Sequence, residues 1–410
     1  MPSRSRSVCG LLAATVCLLL VVVPASTSAR VHHAAKQAAV PPGFVGMVVD
    51  GPLWPDASPG LDMAAQLDSM VAAGVQTLRM TFDWGSIQPY KNDAAVPPAD
   101  KDEFTDVGGV PTNWTDLDQV VGLAAQRGLT ILPLVLDAPA WDGISDNRSV
   151  VERPKRVGPY ANFVKALVQR YGPKGTFWSQ NTGISKQPIR MWQIWNEPNI
   201  RAFWSQQPNY ANGYVALLKA AHSAIKSADP GAKVVLAGFP NFSWVALQRI
   251  YDVRGARSLF DVVAVHPYTK QPQGVITILT KVRQVMNAAG DKRKPMIADE
   301  ISWPSSLGKT PHNNGFDFAT TEAGQARNIT TLLPLLGRDR RSLNLAAFYY
   351  YTWVGNERRN AQAFDYAGLL RYTAGNLTSK PALNAYTRGA LALERCRQKA
   401  AVATRCAKPS

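Results

Sequence analysis

Cysteine is scarce in this chain: four residues in 410, and two of them, Cys9 and Cys17, lie in the N-terminal apolar stretch. There is no Cys-x-x-Cys and no His-Glu-x-x-His, and the five histidines are scattered, so no metal site is expected. Gly-x-Ser-x-Gly is also missing, which argues against a serine hydrolase. Gly51-Pro52-Leu53-Trp54-Pro55, after the first strand-like run, is not a glycine-rich phosphate loop, and no cofactor is expected. Acidic residues are outnumbered, 29 against 45 Lys plus Arg, for a formal charge of +16. The excess is spread over Lys155-Arg156, Lys292-Arg293-Lys294, Arg338 to Arg341, Arg358-Arg359 and the tail, with no recognition motif for nucleic acid. It reads as solvated faces, or as electrostatic association with an anionic cell envelope. Nothing in the sequence sets an oligomeric state.

What is present is the composition of a globular protein: 46% hydrophobic, 18% charged, with 30 Gly and 29 Pro. Residues 1–29 read as a secretory signal. Arg4 and Arg6 precede an apolar run from Leu11 to Val23, too short to span a bilayer, and Thr27-Ser28-Ala29 offers a small-x-small cleavage site. The expected mature protein is therefore secreted, with residues 30–42 as a flexible leader. Only Cys396 and Cys406 then remain, and in an exported chain they are expected to pair as a disulfide that pins the tail, 396–410.

From Gly43 onward, short apolar runs alternate with amphipathic stretches. The strand-like runs are 43–50, 75–84, 129–136, 189–196, 233–239, 260–268, 295–303 and 343–353. Helical stretches follow each of them, at 61–73, 114–127, 159–171, 210–229, 245–254, 275–289, 321–336 and 380–393. Near-continuous apolar strands are those of a parallel sheet buried on both faces. Eight βα units in one domain, 43–395, predict a (β/α)₈ TIM barrel. The long stretches 88–111 and 305–320 fall after strands, on the face where barrel enzymes build their sites.

Two acidic motifs stand at strand ends on that face. Trp195-Asn196-Glu197-Pro198 closes the fourth run, and Asp299-Glu300 lies near the end of the seventh. Alternation along a strand predicts that only one of Asp299 and Glu300 faces the mouth. Strands four and seven lie across a barrel from one another, so two acids can flank one glycosidic bond, as acid-base cleavage of an acetal requires. His266 and Tyr268 are two apart and share a strand face. Arg79 is either a partner of the site or an ion-pair partner inside the barrel, and His266 either a site residue or a satisfied core histidine. Trp303 and Trp353, at the ends of runs seven and eight, are candidate stacking platforms for a sugar ring.

Asn196-Glu197-Pro198 with a strand-seven glutamate resembles clan A of the retaining glycoside hydrolases, which includes family-five cellulases and mannanases and family-thirty-nine β-xylosidases and α-iduronidases. Arg79, Arg170-Tyr171-Gly172-Pro173 and His266-Pro267-Tyr268 belong to the same likeness, which runs from Gly43 to about Leu393. The resemblance implies a carbohydrate substrate, Glu197 as general acid/base, Glu300 as nucleophile, and Asn196 on the sugar 2-hydroxyl. One departure leans toward the family-thirty-nine side: no histidine occurs between His33 and His222, and Asp137 stands where some family-five relatives carry one. The alternative reading is a sugar-binding barrel without catalysis.

Overall fold

The computed structural model describes residues 39–408, apart from 56, 59, 145–150, 206–207, 311–316 and 359–360. The expected signal segment and most of the leader lie outside the described residues. No described helix is long and apolar enough to cross a membrane.

The eight apolar runs form the barrel strands β1 (Val45–Val48), β2 (Thr77–Asp83), β3 (Thr130–Leu136), β4 (Met191–Ile194), β5 (Lys233–Val235), β6 (Val263–Val265), β7 (Met296–Ile301) and β8 (Leu345–Tyr350). Neighbours pair in parallel in the order β6-β7-β8-β1-β2-β3-β4-β5. Single bridges Val235–Val262 and Phe239–Val265 join the two ends, so the sheet closes on itself. Around it lie α1 (Met63–Ala72), α2 (Thr115–Gln126), α3 (Val157–Tyr171), α4 (Tyr210–Ala228), α5 (Ser243–Tyr251), α6 (Pro272–Ala288), α7 (Glu322–Leu343) and α8 (Pro381–Glu394). This is a (β/α)₈ barrel.

Alternate residues fill the interior. Val48, Leu132, Val235, Ala264, Ile297, Ala347 and Tyr349 belong to one buried cluster drawn from the strands alone. Gly46 on β1 is dictated by that packing: a Cβ there would lie 2.5 Å from the Tyr349 ring. Above this apolar floor the inward residues turn polar, beginning with Arg79 on β2 and Gln193 on β4.

Two features depart from the expected pattern. Helix α7 continues past residue 336 through the basic Arg338–Arg341 segment and stops where Asn344 takes a left-handed conformation, φ 48°. Strand β7 carries a bulge: Ala298 pairs with Phe348 but Ile301 with Tyr350, three residues opposite two. The extra residue breaks the alternation that predicted a single mouth-facing acid, and both Asp299 and Glu300 reach the Arg79 guanidinium.

At the other end of the barrel the tail is tied down. Cys396 and Cys406 are bridged with their Cα atoms 5.4 Å apart. Buried Lys399 donates to Glu394, which also accepts from Gln76 at 2.6 Å. The Ala403 N–H reaches the Arg127 carbonyl at the end of α2. Closing so short a loop restricts the unfolded chain by about 2–3 kcal/mol. Cys396→Ser should therefore lower the unfolding midpoint by several degrees, read by calorimetry, while leaving the distant mouth of the barrel unchanged.

Candidate active site

Arg79 organises the mouth. It is 1% exposed, and its planar fork is fully engaged. Nε donates to Gln193 Oε1 at 2.7 Å, Nη1 to Glu300 Oε1 at 2.7 Å, and Nη2 to Asn196 Oδ1 at 2.8 Å. Asp299 Oδ2 lies 3.3 Å from Nε. Burial alone would loosen the guanidinium's proton, but Glu300, Asp299 and Asp50 outweigh it and hold the charge. Arg79 is thus at once an ion-pair partner inside the barrel and a support of the site.

The two glutamates sit in different surroundings. Glu197 follows β4 with φ 41°, and its N–H donates to the Gly238 carbonyl at 3.1 Å. Its Oε1 is 2.7 Å from His266 Nδ1. Burial raises its pKa, and the Glu300 anion raises it further, against the pull of His266 and Arg79. Glu300 accepts from Arg79 and, on Oε2, from the Tyr268 hydroxyl at 2.7 Å. These are the contacts that stabilise an ionised carboxylate. Each carboxylate offers an oxygen within 4.8 Å of the other and of a His266 nitrogen. Such a triad has the composition of a cation site, but here Glu197 is hydrogen-bonded to His266, and Glu300 to Arg79 and Tyr268.

Arg79, Asn196, Glu197, His266, Tyr268 and Glu300 therefore converge. Trp303 and Trp353 do not join them: each is 1% exposed. The Trp303 indole donates to the Thr269 carbonyl and that of Trp353 to Gln66 Oε1 on α1, so neither shows a free ring face. Strand β8 ends at Tyr350, and beyond it alternation no longer sets direction. The residue that does lie near Glu300 is Tyr351, half-buried beside Asp50. Asp50, Gln193 and Tyr351 were not singled out from the sequence, and of Asp299 and Glu300 only one was expected at the mouth. The alternation of β4 could have supplied Gln193; the bulge hid that Asp299 and Glu300 both reach the site.

Two walls frame the mouth. On the β7–β8 side, Phe318 stacks on Tyr268 at 5.1 Å and Phe364 meets its edge at 5.3 Å. They come from the loop before α7 and from the segment carrying a small three-stranded sheet, Val354–Asn356, Leu370–Thr373 and Asn376–Ser379, which the sequence did not announce. Buried Lys380 clamps the two together through Ser305 Oγ at 3.0 Å and Glu357 at 3.1 Å. On the β1–β2 side, a cavity of about 380 Å³ is lined by Asp50, Trp54, Thr81, Asp83, Asn113 and Asp116, with no basic residue in its lining. Burial raises the pKa of Asp50, an effect that Glu300 reinforces and Arg79 opposes, and it pushes Asp137, next to Asp83, up to about 6.

Two glutamates thus stand past the C-terminal end of β4 and near that of β7 in a closed (β/α)₈ barrel, the placement that the sequence resemblance implied. No protein-family model matches the chain, and no curated protein sequence matches it. Solved structures do. A family 39 glycoside hydrolase from the gut symbiont Bacteroides cellulosilyticus WH2 is 18% identical, with TM-score 0.59, over 85% of this chain and 63% of its own. A GH39 enzyme from Xanthomonas axonopodis pv. citri is 17% identical, with TM-score 0.59, over 86% and 67%. A family 51 α-L-arabinofuranosidase from Bifidobacterium longum is 14% identical, with TM-score 0.57, over 89% and 76%. The chain thus spans less than two thirds of the first of these, and what it shares with all three is the fold.

Proposed function

We propose that this protein is an exported retaining glycoside hydrolase that cleaves O-glycosidic bonds by double displacement, with Glu300 as nucleophile and Glu197 as acid/base. The observation that carries the reading is the asymmetry of the glutamate pair. One, at the end of β7, accepts from a guanidinium and a phenol; the other, at the end of β4, is buried with a raised pKa. A buried carboxyl with a raised pKa suits the proton donor, and a carboxylate held by a guanidinium and a phenol suits the nucleophile. Oxygens within 4.8 Å of each other favour the retaining class, whose carboxylates stand about 5–5.5 Å apart, over the inverting class, which needs room for a water. Both acids being in place favours catalysis over sugar binding alone. Export is supported by residues 1–29 and by the Cys396–Cys406 bridge, and the excess of Lys and Arg over Asp and Glu is consistent with retention at an anionic envelope.

In the first half-reaction Glu300 attacks the anomeric carbon while Glu197 protonates the departing oxygen. In the second, Glu197, now ionised, takes a proton from water, which displaces Glu300. In this reading the Asn196 amide, its oxygen held by Arg79, bonds the sugar 2-hydroxyl, a contact that strengthens as the oxocarbenium ion develops. The test is a panel of aryl glycosides with NMR of the first-formed sugar. Retained configuration is expected, and an inverted product rules out double displacement.

The panel also reads substrate charge. The cavity beside Asp50 holds three aspartates and no cation, so a carboxylated sugar meets repulsion there. Neutral glycosides should exceed the matching uronides in kcat/KM by about tenfold or more, each tenfold corresponding to about 1.4 kcal/mol. Equal rates would place the glycone away from this cavity.

A further inference from the structure

We propose that Asp299 is a positioning residue: it keeps His266 as an imidazolium, and this imidazolium directs the acidic proton of Glu197 to the oxygen facing the leaving group. The inference rests on Glu197 being the acid. It begins from an imbalance of donors. His266 is fully buried, with Nδ1 2.7 Å from Glu197 Oε1 and Nε2 3.2 Å from Asp299 Oδ2. Carboxylate oxygens only accept unless they carry a proton, and a neutral imidazole has one N–H for two such partners. Either the ring is doubly protonated, or a carboxyl proton is spent on a ring nitrogen.

The surrounding groups decide. From β7, Asp299 and Glu300 face the ring, the latter at 3.6 Å from Nδ1, and Glu197 faces it from β4. Arg79 on β2 is shared between Asp299 and Glu300. Tyr268, Tyr349 and, toward β1, Asp50 complete the titratable neighbourhood. Burial opposes charge on His266, but Glu300 and Asp299 more than offset it and lift its pKa to about 10. Asp299 is likewise held below the usual carboxylate range despite burial, by His266 and Arg79. With Glu197 carrying its proton, Arg79 and His266 balance Asp299 and Glu300. Once Glu300 is esterified and Glu197 has given its proton away, the four buried charges still balance. Among these four groups the charges cancel in both states, which avoids the cost of an unpaired buried charge.

The consequence lies on Glu197. Nδ1–H fills Oε1, so the acidic proton sits on Oε2. With a neutral ring donating to Asp299 from Nε2, Nδ1 would be a bare acceptor, and the Glu197 proton would turn inward to it. The fold reserves space for this pair: a Cβ on Gly238 would lie 2.0 Å from His266 Nε2 and 2.8 Å from Asp299 Oδ2. Asp299 Oδ1 is buried without a partner, a cost that its anionic role accounts for.

Asp299→Asn tests this in the full-length protein. In ¹⁵N spectra of histidine-labelled wild type, with the signal assigned by its loss in His266→Gln, both ring nitrogens should carry protons at pH 7 and keep them beyond pH 8. In Asp299→Asn the ring should be neutral at pH 7. On aryl and alkyl glycosides the variant's loss of rate should grow with leaving-group basicity, reaching about 10²-fold for the poorest, the scale of one general acid. A wild-type His266 that is neutral at pH 7, or a variant that keeps both protons, overturns the inference. So does a rate loss that is the same for all leaving groups. If the variant does not fold, the wild-type titration alone decides. If no glycoside is turned over, the glycosidase reading fails while the spectra still judge the His266–Asp299 pair.

Discussion

Glu300→Ala should reduce turnover of every glycoside by several orders of magnitude, with little dependence on the leaving group. Without the carboxylate there is no atom to form the glycosyl-enzyme, and a better leaving group cannot replace a missing nucleophile. The same change removes a partner of Arg79 Nη1 and of the Tyr268 hydroxyl, so among the described residues Arg79 is left with Asp299 as its only ion-pair partner within 4.0 Å. Azide added to the variant can enter the vacated space and attack from the nucleophile's side. A glycosyl azide of inverted configuration is then expected, identified by NMR. A variant that keeps near-full activity would move the site elsewhere.

The barrel was legible because a parallel sheet buried on both faces leaves a plain trace. Val75 to Trp84 or Leu129 to Leu136 can be little else once a glycine-terminated amphipathic stretch precedes each. The acids were legible for a related reason: Glu197 and Glu300 interrupt apolar strands where a charge needs a purpose. Closure of the barrel then brings Arg79, His266 and Tyr268 onto them from β2 and β6.

What escaped the sequence was local geometry that no period encodes. The β7 bulge lets two consecutive acids serve one site, whereas strict alternation sends one of them away. At β8 the strand stops three residues short of Trp353, so an aromatic expected at the end of the strand as a platform for a sugar bonds to Gln66 of α1 instead. The wall built from Phe318, Phe364 and the small sheet depends on Lys380, a residue that reads as an ordinary helix-start lysine. Only the folded chain brings it to Glu357 and Ser305. Burial lowers its pKa to about 8.

Glu197→Ala should separate the two chemical steps. The variant keeps the nucleophile, so substrates with activated aryl leaving groups, which need little protonation, should still form the glycosyl-enzyme. Hydrolysis of that ester should slow by about 10²–10⁴-fold for want of a base. A burst of aryl alcohol followed by a slow steady state is then expected. Glycosides with basic leaving groups should lose the first step as well. The wild-type rate should fall on the alkaline side as pH rises through the raised pKa of Glu197, because only its protonated form can act as acid. In the variant that limb should vanish. Azide needs no base, and in the space beside His266 it can attack the glycosyl-enzyme from the face opposite Glu300. The product expected is a glycosyl azide with the configuration of the substrate, the reverse of the Glu300→Ala outcome. If the two stereochemical results are exchanged, the roles of Glu197 and Glu300 exchange with them, and the asymmetry around Arg79, Tyr268 and His266 must then serve the opposite assignment.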